Sequence, residues 1–202
     1  MRGKFITFEG VDGAGKSTHV EWFANELRSS GRAVLVTREP GGSQLAEKLR
    51  DLVLHEPMDA VTETLLMFTA RDDHLKKCIL PALSAGTWVV CDRFTDATFA
   101  YQGGGKGVDA GLIDSLAKVV HSGTHPDCTL VFDCPYEVSR ERMAKSGRAL
   151  DRFEREGQAF FERVRNAYLA TARTEPGRVR VVDSTLTLEA IRAELRSVIN
   201  GL

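Results

Sequence analysis

Eight residues near the start of the chain constrain its fold more than any others: Gly10, Val11, Asp12, Gly13, Ala14, Gly15, Lys16 and Ser17. They satisfy G-x-x-x-x-G-K-[ST] at every position. Lys4 to Glu9 before them reads as an apolar strand. After Ser17, the residues Val20, Phe23, Ala24 and Leu27 recur at helical spacing until Gly31 stops them. A strand, a glycine-rich turn and a helix in that order form a phosphate cradle. The glycines let backbone N–H groups turn inward, and the helix N-terminus adds its positive end. Lys16 then reaches the β- and γ-phosphates, Ser17 can ligate Mg²⁺, and Thr18 extends the cradle. The alternative is a glycine-rich turn with a chance Lys-Ser; the flanking strand and helix argue against it.

The rest of the chain alternates in the same way. Short apolar runs at Ala33 to Thr37, Thr87 to Cys91, Thr129 to Asp133 and Val179 to Val182 read as four more strands. Helical patterns separate them. One has Leu45, Leu49, Leu52 and Val53 at helical spacing. A long one runs from about Asp59 to Ala85, with an apolar stripe of Leu65, Leu66, Phe68 and Thr69, and Pro81 should bend or shorten it. Gly147 to Arg155 breaks the pattern and is rich in charge. The expected fold is therefore α/β, a five-stranded parallel sheet with helices on both faces. With 202 residues, one domain spanning 1–202 is expected, carrying a short lid at about 145–156. Gly103 to Gly107 follows no strand and reads as a flexible connection.

Such sheets bind ligands beyond the carboxyl ends of their strands. A GTPase would carry an N-K-x-D segment, and none of Asn25, Asn166 and Asn200 begins one. A motor ATPase usually ends a strand in Asp-Glu; here Trp88 to Cys91 ends in Asp92-Arg93. Asp92 can hold the Mg²⁺ hydration shell, and Arg93 can grip a second phosphate. That pair suits transfer to a phosphorylated acceptor better than hydrolysis. A strand-end ion pair is the plainer alternative. With 27 Lys and Arg against 28 Asp and Glu, the chain has no global basic field for nucleic acid. No run is long enough to span a bilayer. Cys78, Cys91, Cys128 and Cys134 lack zinc spacing and read as free thiols of a reducing cytoplasm.

Several segments together carry a family resemblance. They are Phe8 to Thr18, Thr37-Arg38-Glu39-Pro40-Gly41-Gly42, Phe68-Thr69-Ala70-Arg71, Asp92-Arg93-Phe94, Ala100-Tyr101-Gln102-Gly103-Gly104 and Leu150-Asp151-Arg152-Phe153-Glu154. In this order they resemble the thymidylate kinases, P-loop nucleotide kinases that phosphorylate dTMP to dTDP with ATP. The similarity covers nearly the whole chain. The resemblance implies that Asp12 meets the sugar 3′-hydroxyl, and that Glu39 and Arg50 line the acceptor site. It implies Phe68 under thymine and Arg71 at its O4. Thr98 and Gln102 would hydrogen-bond the base, and Tyr101 would crowd the 2′ position. Gly13 stands where the eukaryotic type carries an arginine, so the bacterial type fits best. Its lid arginines match Arg148 and Arg152, with Arg155 a weaker match.

Lys16, Arg93, Arg148 and Arg152, together with Asp92, are thus the expected catalytic set, and Ser17 and Asp92 the expected Mg²⁺ ligands. ATP and dTMP are the expected substrates. The resemblance also implies a homodimer, with no nucleic-acid or membrane partner.

Overall fold

The computed structural model describes residues 2–121, 123–145, 147 and 151–202. Five strands, β1 (Phe5–Glu9), β2 (Val34–Arg38), β3 (Trp88–Asp92), β4 (Cys128–Asp133) and β5 (Val179–Asp183), form one sheet in the order β2-β3-β1-β4-β5. Every pairing is parallel. In β1 and β3, neighbouring residues enter different cores. Ile6, Phe8 and Val90 join one apolar cluster, while Phe5, Val89 and Cys91 join another with Leu75, Ile79 and Phe94. Burial on both faces explains why these strands read as continuous apolar runs. From β1 the chain passes over to β2, returns to β3 and then crosses to β4 on the other side of β1. The order reverses at β1, so the loop after β1 sits at the switch point, where such sheets bind ligands.

The helices are α1 (Lys16–Ser29), α2 (Gln44–His55), α3 (Ala60–His74), α4 (Leu80–Ser84), α5 (Thr95–Thr98), α6 (Ala110–His121), α7 (Tyr136–Lys145), α8 (Gln158–Thr174) and α9 (Leu188–Gly201). Gly15, in the left-handed region at φ 86°, turns the chain into α1. Asp59 caps α3 by accepting from the Val61 and Thr62 N–H groups. The disturbance expected from Pro81 is a wide π-helical turn at Leu75–Ile79, just before Pro81 enters the first turn of α4. There its missing N–H costs least.

Two expectations are corrected. The buried face of α3 is Glu63, Thr64, Phe68, Arg71 and His74, whereas Leu65 and Thr69 are exposed. Apolar periodicity misled because α3 presents polar side chains inward. Gly103 to Gly107 is no flexible connection either. Gly103 to Gly105 lie in a second π-helical segment, Phe99–Gly105, packed on α8. A Cβ on Gly104 would stand 2.7 Å from that of Ala167, and one on Gly105 would stand 2.5 Å from the Phe160 ring. These glycines permit close helix packing.

Candidate active site

The loop after β1 opens onto a polar cleft of about 840 Å³ lined by Asp12 to Thr18, Asp92 and Arg93. Gly10 and Gly13 have positive φ, at 124° and 75°. A Cβ on Gly10 would lie 2.2 Å from the Phe132 carbonyl oxygen, so β4 leaves room there only for glycine. Lys16 is buried, and its Nζ donates to the Gly10 and Val11 carbonyls at 3.0 Å each. Burial and the nearby Arg93 lower its pKa. Ser17 and Asp92 line the same cleft, and Asp92 Oδ1 is buried without a hydrogen-bond partner. A hydroxyl and an orphaned carboxylate oxygen suit Mg²⁺, which takes few protein ligands beside phosphate and water.

Arg93 ends β3 in the left-handed region, at φ 72°, an unusual conformation for a bulky residue. That turn aims its guanidinium back across the loop. It donates to the Gly10 carbonyl at 2.8 Å, to Asp12 Oδ1 at 2.6 Å and to the Tyr101 hydroxyl at 3.0 Å. Tyr101 in turn donates to Asp12 Oδ2 at 2.8 Å. Burial alone would raise the Asp12 carboxyl, but Arg93 and Lys16 outweigh it and hold it below the usual range. Beneath this cluster Glu9 is fully buried, accepting from the Phe94 N–H and the Tyr168 hydroxyl. Burial, with Asp96 second, pushes its pKa up to about 8.

A smaller cavity adjoins the cleft. The two share Asp12, Glu39, Arg50, Arg93 and Asp151, so two arginines stand at their junction. Arg50 also donates to the Pro40 carbonyl at 2.9 Å. Arg71, Thr98, Tyr101 and Gln102 line the second cavity. Arg71 is nearly fully buried. Its Nε donates to Glu39, and one terminal nitrogen donates to the Phe94 carbonyl and the Thr98 hydroxyl. The other terminal nitrogen is buried without a partner. Such a donor costs free energy unless a ligand atom accepts from it.

Two expected placements change, those of Phe68 and Arg152. Phe68 does not line this cavity. It is 2 % exposed and packs with Val108, Ile113 and Ala117, because a helix turns adjacent residues by about 100° and gives the cavity side to Met67. Its ring instead backs Arg71, whose guanidinium carbon lies 4.9 Å from the ring centre. Glu39 does line the acceptor cavity as expected, and its two oxygens are held by Arg71 at 2.7 Å and His74 at 3.0 Å. Arg152 is absent from the residues lining the cleft. It pairs with Glu63 and donates to the Val53 carbonyl. Glu63 is 0 % exposed and also holds Lys106 and Gln102, so a buried carboxylate draws the lid cation to itself. Asp151 and Glu154 of the same segment do line the cleft. Arg148 lies outside the described residues. Arg155, the weaker lid candidate, does not line either cavity.

Some site residues escaped sequence reasoning. Arg142, Ser184, Leu186 and Ile191 also line the cleft, and Arg142 donates to the Ser184 carbonyl at 2.7 Å. Ser184 follows β5, so the strand-end rule pointed there. Met67, Leu54, Phe94 and Ala97 form the apolar part of the second cavity.

Residues 8–195 match the family model described as thymidylate kinase. A thymidylate kinase of Bordetella pertussis is 56 % identical over 201 residues, covering 100 % of this chain and 96 % of its own. One from Cupriavidus metallidurans is 54 % identical over 202 residues, covering 100 % of both. The crystal structure of thymidylate kinase from Ehrlichia chaffeensis superposes with a TM-score of 0.80 at 33 % identity, covering 99 % of each chain. The P-loop cleft, the adjoining cavity and these full-length matches agree: the chain belongs to the thymidylate kinase family, and it is a phosphotransferase.

Proposed function

We propose that the chain transfers the γ-phosphoryl group of ATP to the 5′-phosphate of dTMP, giving dTDP and ADP, with ATP in the larger cleft and dTMP in the smaller cavity. Two observations support the residue assignment: the two cavities meet at Arg50 and Arg93, and Arg71, which lines the acceptor cavity, keeps one terminal nitrogen buried without a partner. The first pair suits two phosphates, and the second suits a ring carbonyl.

The acceptor phosphate has its second pKa near ~6, so it is mostly dianionic at neutral pH and needs no general base. The barrier is repulsion between two anions. Lys16 and Arg93 offset it, since both are fixed in position before substrate arrives. Mg²⁺, held by Ser17 and through water by Asp92, would neutralise charge on the β- and γ-phosphates when bound. Asp12, held by Arg93 and Tyr101, meets the acceptor sugar. Tyr101 crowds its 2′ side, and Thr98 and Gln102 contact the base. Arg142 and the segment after β5 accommodate the ATP base. The lid excludes water, a competing acceptor. Within it Asp151 borders both cavities, Glu154 the cleft and Phe153 the acceptor cavity.

We assign the chain a homodimeric state through α2, α3 and α6. Among the described residues these helices carry the exposed Leu45, Leu52, Val61, Leu65 and Val119, an apolar set of the kind subunit contacts cover. Sedimentation velocity reads this directly. A cytoplasmic site fits the four free thiols, and no described helix is long and apolar enough to cross a membrane.

ADP release measured with dTMP, dUMP, dCMP, UMP and thymidine tests the reaction. dTMP should be the best acceptor, with little turnover when no acceptor is present. Acceptor-independent hydrolysis at a comparable rate would overturn the assignment.

A further inference from the structure

The acceptor cavity owes its free donor to a chain of contacts that begins outside it. Thr37, in β2, pairs through Oγ1 with His74 Nε2 at 2.8 Å. His74 Nδ1 lies 3.0 Å from Glu39 Oε1, and the other oxygen of Glu39 accepts from Arg71 Nε at 2.7 Å. A carboxylate only accepts, so Nδ1 carries the hydrogen toward it. Burial alone would raise the Glu39 carboxyl, but Arg71 and His74 outweigh it and keep it ionised. His74 is fully buried and lines neither cavity. Gly42 marks how closely the loop after β2 covers this relay. A Cβ there would stand 2.3 Å from His74 Nε2 and 2.5 Å from Thr37 Oγ1.

We propose that His74 is a positioning residue for acceptor recognition: through Glu39 it fixes the Arg71 guanidinium so that a single N–H group faces the acceptor base. This rests on the reading of Arg71 as the base contact. The physical reason is geometric. A carboxylate held on one oxygen only can rotate, and its partner guanidinium then rotates with it. Held on both oxygens it is a fixed wall. Arg71 has two further anchors, the Phe94 carbonyl and the Thr98 hydroxyl at 3.1 Å each, which leave one terminal nitrogen for the ligand. A group that can only donate accepts a 4-oxo pyrimidine and rejects a 4-amino one.

The test is steady-state kinetics on Arg71→Lys, His74→Leu, His74→Asn and Thr37→Val, with thermal melts of each. Arg71→Lys should raise the dTMP KM and lower the preference for dTMP over dCMP; if it does neither, the base-contact reading fails. His74→Leu should raise the dTMP KM about tenfold, the scale of one charge-assisted hydrogen bond misplaced. It should leave kcat and the ATP KM nearly unchanged and narrow the dTMP:dCMP preference. His74→Asn, which keeps an N–H near the Nδ1 position, should recover most of the loss. Given an effect of Arg71→Lys, the proposal is overturned if His74→Leu leaves the dTMP KM alone. It is also overturned if His74→Leu raises both substrate KM values alike, or if Asn rescues no better than Leu. Should His74→Leu fail to fold, Thr37→Val decides: a selective rise in dTMP KM supports the relay, and unchanged kinetics overturns it.

Discussion

Replacing Phe68 and Met67 separately by alanine distinguishes a core residue from a cavity wall. Phe68 is 2 % exposed, packed on Val108, Ile113 and Ala117, with its ring 6.2 Å from that of His121. Removing such a buried ring costs about 3–5 kcal/mol, transfer and residual cavity together. That is a large share of a typical stability of about 5–15 kcal/mol. For a chain of this length each kcal/mol lowers Tm by about 2–4 °C, so Phe68→Ala should melt about 6–20 °C below the parent. Met67 is only half-buried and lines the acceptor cavity. Its truncation should cost under about 2 kcal/mol of stability but remove part of the surface that a pyrimidine ring would cover. Thermal melts and dTMP KM measurements, taken well below both melting points, separate the two. Phe68→Ala should act mainly on Tm, with a lesser kinetic effect through the loosened Arg71. Met67→Ala should act mainly on the dTMP KM. A Phe68→Ala protein with near-parental Tm and the larger rise in dTMP KM would refute this placement.

Lys16→Ala should lower kcat by several orders of magnitude while the melting temperature stays close to the parent value; near-normal turnover would remove the loop from the mechanism. Arg152→Ala, with Arg152 held on Glu63 beside Gln102, should raise the dTMP KM more than it lowers kcat. A fall in kcat at constant dTMP KM would return Arg152 to the transferring phosphate. The Glu9 pKa is raised from 4.5 to about 8, so the folded state holds a proton that the unfolded state has released across that interval. The stability it contributes is complete below pH 4.5 and is lost as pH rises to about 8. Urea titrations across this window should show Glu9→Gln with a shallower decline than the parent, and equal slopes would contradict the shift.

The loop was legible in sequence because its chemistry is local. Backbone N–H groups, glycines and one lysine act within eight consecutive residues. The alternation of strands and helices was legible because both faces of the sheet are buried, which leaves continuous apolar runs. The acceptor cavity was less so. It is built from the loops after β1, β2 and β3, from α2, α3, α5 and the π-helical turn after it, and from the lid segment, and distance along the chain says little about which side chains meet there. Phe68 and Met67 show the limit most clearly. The motif named the right turn of α3, and only the packing of α3 against α6 decided which neighbour lines the cavity. Arg152 shows it again. Its charge suggested phosphate, but a buried carboxylate on α3, invisible as a partner at a separation of 89 residues, holds it elsewhere. Sequence by itself determined the fold class, the phosphate loop and the family. Tertiary structure decided which polar groups are paired within the protein and which, like the last nitrogen of Arg71, are left without a partner. Pairing depends on contacts in space, and neither motif nor periodicity records them.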